Sequence, residues 1–158
     1  DNWTDYPSLR LWQFGTTPVG PGTVVYRDPS WSTQSVGHIS RSNAVAGSEA
    51  SQYACGSSAT RTNGPRSNEI VCFMLDGSFK TLVVAPVMTN LNATGGGGDD
   101  YNKGPKGNLD ITGQYFIWTS NMGGSRQDAF IVRVPSQLIA GPSVSAAPGA
   151  PSNVIVRH

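Results

Sequence analysis

The sequence predicts an all-β fold, and three observations lead to that prediction. Short runs rich in β-branched and aromatic residues are bounded by Gly, Pro, Asn and Asp, which is typical of strands separated by turns. No stretch repeats its apolar residues at helical spacing. The 158 residues, with 19 Gly and 11 Pro, suit one ordinary domain rather than a disordered chain.

Five runs have the length and composition of strands. They cover residues 23–26, 69–75, 81–85, 115–119 and 129–134. Asp76-Gly77 lies between the second and third runs and predicts an antiparallel hairpin, because the central positions of such a turn need positive φ. The Gly-containing loop 121–127 predicts a second hairpin between the fourth and fifth runs. Only residues 136–139 suggest a single helical turn.

The remaining segments set the domain boundaries. Residues 92–108 are rich in Gly and form a longer connection than the usual 4 to 6 residues or so, which is typical of a functional or mobile loop. Residues 140–151 contain three prolines and predict an extended linker. We therefore expect one domain over 1–139, and 152–158 as the start of a further β unit or a disordered tail.

An internal repeat relates two of the strands. A shift of 60 positions aligns residues 68–75 with 128–135, and each copy opens with a polar residue, Asn68 or Asp128, and continues as a mainly apolar strand. The string from Asp110 to Asn121, with Gly123-Gly124 and the strand opening at Asp128, resembles the blade repeat of TolB-type β-propellers. In that family an Asp-x-x-Gly turn precedes an aromatic strand ending in Thr-Ser-Asn, and the next strand opens with Asp. The resemblance covers about 69–138, and 23–46 only loosely.

The resemblance implies antiparallel β-propeller blades. Such blades stack on both faces, so a continuous run such as Phe116-Ile117-Trp118 is expected to be buried on both sides. A ring typically needs about 4 to 8 blades of about 40 to 50 residues, and this chain supplies two recognisable ones.

Three outcomes stay open for so short a set of blades. The chain is the C-terminal part of a larger secreted bacterial propeller protein, or it assembles with other chains, or it folds as a compact β-sandwich. We favour the first, and Pro151 to Val156 also resembles the start of a fibronectin type III domain.

Charge and cysteine content restrict the partners and the compartment. Charged residues are 13% of the chain, the formal net charge is +1, and the basic residues are scattered, which disfavours nucleic acid as a partner. No apolar run approaches the length of a membrane span. Cys55 and Cys72 predict either a disulfide or two buried thiols. The low charge and the abundance of small polar residues favour the disulfide and an extracellular or periplasmic location.

Three sets of residues are candidates for a site. His38 and Arg41 are catalytic candidates, although a structural role for His38 is favoured because the chain lacks a Gly-x-Ser-x-Gly nucleophile motif. Aromatic residues in polar surroundings are candidates for stacking on a sugar, whereas Trp118 is expected in the core. These binding candidates are Trp3, Tyr6, Trp12, Trp31 and Tyr101.

The third set is an acidic cluster in the Gly-rich loop. Asp99, Asp100 and Asp110 are candidate calcium ligands, because calcium takes six to eight oxygen ligands. The alternative is that these residues form turns by bonding their own backbone. The cofactor prediction is accordingly none, with calcium at this loop as the alternative.

The functional prediction is a secreted β-propeller-type binding or scaffold module for carbohydrate or protein. One alternative is a polysaccharide lyase or hydrolase with its site in a propeller channel. The other is a structural role, in which open blade edges join this chain to other propeller blades or to further copies in a homo-oligomer.

Overall fold

The computed structural model describes residues 8–12, 15, 22–27, 37–41, 52–61, 66–94 and 100–140. Within these residues the fold is all-β, with eight short strands, one four-residue helix and one 3-10 turn. No helix of this part is long and apolar enough to span a membrane. In chain order the elements are β1 Ser8–Leu11, β2 Thr23–Arg27, β3 Tyr53–Ser57, β4 Glu69–Met74, β5 Thr81–Pro86, α1 Asp100–Lys103, β6 Asn108–Leu109, β7 Tyr115–Ser120, β8 Asp128–Arg133 and the 3-10 turn Ser136–Leu138.

Both predicted hairpins are confirmed. β4 pairs with β5 in antiparallel fashion, and β7 pairs with β8 in the same way. At the first turn Gly77 has a φ of +80°, and the Ser78 backbone N–H donates to Asp76 Oδ1 at 2.8 Å. This carboxylate closes the turn as Asp does in Asx turns. The linker predicted beyond Ala140 and the segment 152–158 lie outside the described residues.

The strands form three antiparallel layers. A two-stranded sheet, β1-β2, covers one face of the central sheet β3-β4-β5, and the sheet β6-β7-β8 covers the other. Residues 37–41 lie along the free edge of β3, where Ser40 exchanges two backbone hydrogen bonds with Cys55, at 2.8 and 2.9 Å. The central layer is thereby extended by a short bridge beside β3.

The central layer is buried on both faces. Because side chains alternate along a strand, Ala54, Val71 and Phe73 point toward β1-β2, while neighbouring residues of β3 and β4 point toward β6-β8. The larger of the two cores lies between the central sheet and the sheet β6-β7-β8. Its buried members are Tyr53, Cys55, Ile70, Cys72, Met74, Val87, Leu109, Phe116, Trp118, Val134 and Ile139.

The expected double burial of Phe116-Ile117-Trp118 is wrong. Phe116 and Trp118 are buried, as expected for core residues, but Ile117 between them is 45% exposed. The reason is that no described layer covers the outer face of the sheet β6-β7-β8, so its strands alternate between core and surface. The double burial belongs to β3 and β4 instead.

A polar clamp ties the segment after β5 to the end of β7. The indole N–H of Trp118 donates to the Val87 carbonyl at 3.1 Å. The side-chain amide of Asn121 accepts from the Asn90 N–H and donates to the Asn90 carbonyl, both at 2.9 Å. These bonds satisfy backbone groups that would otherwise be costly to bury, and they hold the two larger sheets in one relative position.

The predicted disulfide is confirmed. Cys55 on β3 and Cys72 on β4 lie directly opposite each other in the antiparallel register and are joined. The bond closes a loop across a sequence separation of 17 residues.

Replacement of both cysteines by alanine should lower the free energy of unfolding by about 3 kcal/mol, because the unfolded chain loses the constraint of a closed loop of this length. Urea denaturation measures the change. A reductant should destabilise the wild type by a similar amount and leave the Cys55→Ala/Cys72→Ala protein unchanged. Equal midpoints for the two proteins would contradict the stabilising role.

Gly107 permits the closest approach between the loop before β6 and the core. A methyl group at this position would overlap the Phe116 ring and lie 2.7 Å from Ser57 Oγ. Both neighbours are fully buried, so neither side chain has free space into which to move.

Gly107→Ala should therefore lower the free energy of unfolding by about 1–3 kcal/mol, the usual effect of overpacking a core. Thermal or urea denaturation is the measurement. Gly124→Ala is the matched control, because Gly124 is exposed and a methyl group there meets only the Asn121 carbonyl, at 3.3 Å. A change of the same size in both variants would show that the packing around Gly107 is not as described.

Candidate functional site

An open groove lies between the hairpin β1-β2 and the central sheet. One part, of about 390 Å³, has a floor that includes the buried residues Val25, Ala54 and Phe73. A second part, of about 410 Å³, continues past Leu75 toward Asp76. The two parts share lining residues and therefore form one continuous groove. Its rim carries two arginines and three exposed apolar residues: Arg10, Arg41, Leu11, Trp12 and Ile39.

The Trp12 indole packs closely against the backbone of Gly22 at the rim of the groove. It follows directly after β1 and is 42% exposed. A methyl group on Gly22 would lie 3.1 Å from two indole carbons and 2.9 Å from the Leu11 carbonyl, and Gly22 has a φ of +71°. Only glycine meets both requirements without strain. The backbone at Gly22 thus supports the indole from one side.

Residues 37–41 present different side chains to the two faces of the central layer. Ile39 and Arg41 line the groove. The alternate residue Ser40 turns away from it, and its hydroxyl accepts a hydrogen bond from the Leu109 N–H at 3.0 Å. The period of two that applies to extended chain explains this separation.

Two of the predicted residues, His38 and Tyr101, form a second cluster with Lys106 outside the groove lining. The His38 ring lies 6.3 Å from the Tyr101 ring, centroid to centroid. The Lys106 ammonium sits 4.5 Å from the centre of the Tyr101 ring and donates to the Tyr101 carbonyl at 2.6 Å. His38 and Arg41 therefore do not meet in one site, and their catalytic role stays a prediction.

Asp110 closes the turn between β6 and β7. Its carboxylate accepts hydrogen bonds from the N–H and hydroxyl of Thr112, at 3.2 and 2.5 Å, and from the Tyr115 N–H at 2.9 Å. Partial burial raises the pKa of this carboxyl, but the hydrogen bonds from Thr112, Tyr115 and Gln114 outweigh it, and the net pKa lies below its ordinary value of 3.8. The alternative role predicted for this residue, that of a turn former, is confirmed.

The calcium prediction has no further support in this part of the chain. Asp99 lies outside the described residues, and Asp100 begins α1. Among the described residues no group of three or more His, Cys, Asp or Glu side chains is arranged to hold a metal ion. Calcium binding by the Gly-rich loop stays a prediction.

The aromatic candidates are divided among three places. Trp3, Tyr6 and Trp31 lie outside the described residues, Trp12 stands at the groove, and Tyr101 belongs to the cluster with His38. Leu11 and Ile39 are groove residues that sequence reasoning did not single out. Their only signal in the sequence is that they lie close to the predicted residues Trp12 and Arg41. That signal does not show that residues 8–12 and 37–41 meet in space.

The groove has a charged side. Arg10 and Arg41 both line the part of about 390 Å³, and Arg10 also donates to the Gly22 carbonyl at 3.4 Å. Asp76 lines the second part together with Arg41, and hydrogen bonds from the Ser78 hydroxyl and backbone N–H lower the pKa of the Asp76 carboxyl. The arrangement suits an elongated ligand with an apolar surface and an anionic group near the arginines.

Comparison of the chain with protein-family models, with curated proteins and with solved structures finds no match. The class defined by the fold and the site is accordingly a layered antiparallel β protein with an open, mainly apolar groove beside its disulfide-linked sheet.

Asp110→Asn should lower the free energy of unfolding by roughly 1 kcal/mol at pH 7, because the neutral amide accepts weaker hydrogen bonds at the turn. The pKa is lower in the folded state than its unfolded value of about 3.9. The contribution of the carboxylate is therefore present above that pH and is lost as the pH falls through the folded pKa. Urea denaturation from pH 7 to pH 2 should show the wild type and the variant converging in acid. A constant difference would contradict this role.

Proposed function

We propose that this chain is a secreted binding module of the β-propeller type, and that its groove takes an anionic carbohydrate. The observation on which the proposal rests is the exposed indole of Trp12 at the rim of an apolar groove that Arg41 also lines. A ligand site is typically a concave, mostly apolar surface with a small number of polar groups that fix orientation. The groove has this composition.

Carbohydrate fits the chemistry of the rim. A large aromatic ring offers an apolar face and a polar edge, which suits a sugar ring with apolar C–H faces and polar substituents. The guanidinium group pairs with a carboxylate through two parallel hydrogen bonds. Arg10 and Arg41 therefore favour a polysaccharide that carries uronic acid carboxylates over a neutral one.

The propeller part of the proposal is supported by the stacking of the sheets. Consecutive antiparallel sheets of the chain, β3-β4-β5 and β6-β7-β8, pack face to face, and the first is buried on both sides. Stacked blades have this arrangement. Secretion is supported by the disulfide, since such bonds persist chiefly in oxidising compartments.

Binding to a soluble polyuronate, measured by isothermal titration calorimetry, tests the groove. Trp12→Ala and Arg41→Ala should each weaken binding about 30-fold, the effect expected for removing an anchor residue. Tyr101→Ala and Arg126→Ala are the matched controls, because both residues are exposed and lie outside the groove lining.

The outcomes separate the parts of the proposal. Equal affinity for a neutral glucan would contradict the anionic preference. Loss of binding in the Tyr101→Ala protein instead of the Trp12→Ala protein would move the site to the cluster with His38. Consumption of the polysaccharide, followed by the release of reducing ends or unsaturated products, would show an enzyme rather than a binding module.

A further inference from the structure

We propose that the outer face of β7 and β8 joins two copies of this chain. This face includes Tyr115 and Ile117 of β7 and Ala129, Ile131 and Arg133 of β8, with the polar residues Thr119 and Asn108 at its borders. It lies on the opposite side of that sheet from the core, so the proposal is independent of any ligand in the groove.

The centre of the outer face is apolar, where a free sheet face is usually polar. Ile131 is 65% exposed and Ile117 is 45% exposed, and the two are direct cross-strand partners. Tyr115 beside them is also exposed. Antiparallel sheets with one solvated face normally alternate apolar inward and polar outward residues. Contiguous exposed apolar residues are a common feature of interaction surfaces.

The pairing of the two strands makes the face complementary to itself. Tyr115 is opposite Arg133 in the antiparallel register, and Ile117 is opposite Ile131. Consider a two-fold axis parallel to the strands and midway between β7 and β8, with two such faces packed together. The axis places Ile117 over Ile131 of the partner subunit and Tyr115 over Arg133 of the partner subunit.

This arrangement gives each residue a suitable contact. Four isoleucines meet at the centre, where apolar area is removed from water. At one end of the interface each guanidinium lies over a tyrosine ring of the other copy, and the two-fold symmetry makes this cation–π contact twice. The same residues of both copies therefore form the apolar centre and the cation–π contacts beside it, as an isologous interface requires.

The same packing mode already exists within the chain. The inner face of β7 packs on the central sheet through Phe116 and Trp118. Two sheets packed face to face lie about 10 Å apart, and the side chains of their facing surfaces fill the space between them. Pairing of two outer faces would extend the stack from one molecule into the next and leave the groove of each copy open.

Sedimentation equilibrium of the full chain at about 1 to 200 µM tests the proposal. The wild type should form a concentration-dependent dimer. Ile117→Lys and Ile131→Lys should each raise the dissociation constant about 30-fold or more, because each places a charge in the apolar centre. Arg133→Glu should also weaken the dimer, whereas Tyr115→Phe keeps an aromatic face and should change the dissociation constant less than about threefold.

Leu138→Lys is the matched control. Leu138 is 68% exposed, close to the exposure of Ile131, and it lies in the 3-10 turn rather than on the outer face. A monomeric wild type at the highest concentration, or a dimer weakened as much by Leu138→Lys as by Ile131→Lys, would overturn the proposal. So would a dimer that the Ile131→Lys substitution leaves intact.

A second measurement on the wild type avoids any effect of substitution on folding. Methyl resonances of Ile117 and Ile131 should shift on dilution, whereas that of Ile70, which is fully buried between the sheets, should not. Resonances of Ile117 and Ile131 that stay constant over a dilution that dissociates the dimer would place the interface elsewhere.

Discussion

Burial of the central sheet on both faces is the constraint on which the described structure depends. β3 and β4 carry apolar side chains in both directions, and neither face is stable in water alone. One face is covered by the hairpin β1-β2, and the other by Phe116, Trp118 and their neighbours. The groove follows from the same constraint, because a two-stranded hairpin is too narrow to cover the whole of one face.

Much of the strand content could be predicted from the sequence. The strands that sequence analysis identified are those with continuous apolar runs, such as β4 and β8. β1 was missed because Ser8–Leu11 alternates with polar and charged residues, and β3 because its Ala, Gly and Ser have no strand preference. β3 is a strand through tertiary context, since it pairs with β4 and is linked to it by a disulfide.

The candidate site was only partly visible from the sequence. Trp12 and Arg41 were identified one by one from residue type, but their meeting depends on two facts that act over long range. One is the pairing of Ser40 with Cys55, and the other is the packing of β2 on β4. The separation of His38 from Arg41 also depends on the backbone of residues 37–41, where His38 has a φ of +34°, a conformation that their mixed sequence does not indicate. Exposure of Ile117 likewise follows from the absence of a further layer over the described sheet, a property that no local pattern contains.

The short bridge between Ser40 and Cys55 has a consequence for recognition. Cys55 is bonded covalently to Cys72 and through its backbone to Ser40, so the groove wall formed by Ile39 and Arg41 is anchored to the disulfide-linked pair of strands. A wall that is already fixed loses little conformational entropy when a ligand binds. For the ligand proposed above, oxidation of the two sulfur atoms is therefore expected to contribute to affinity as well as to fold stability, and a reducing environment would loosen the support of Arg41 along with the sheet.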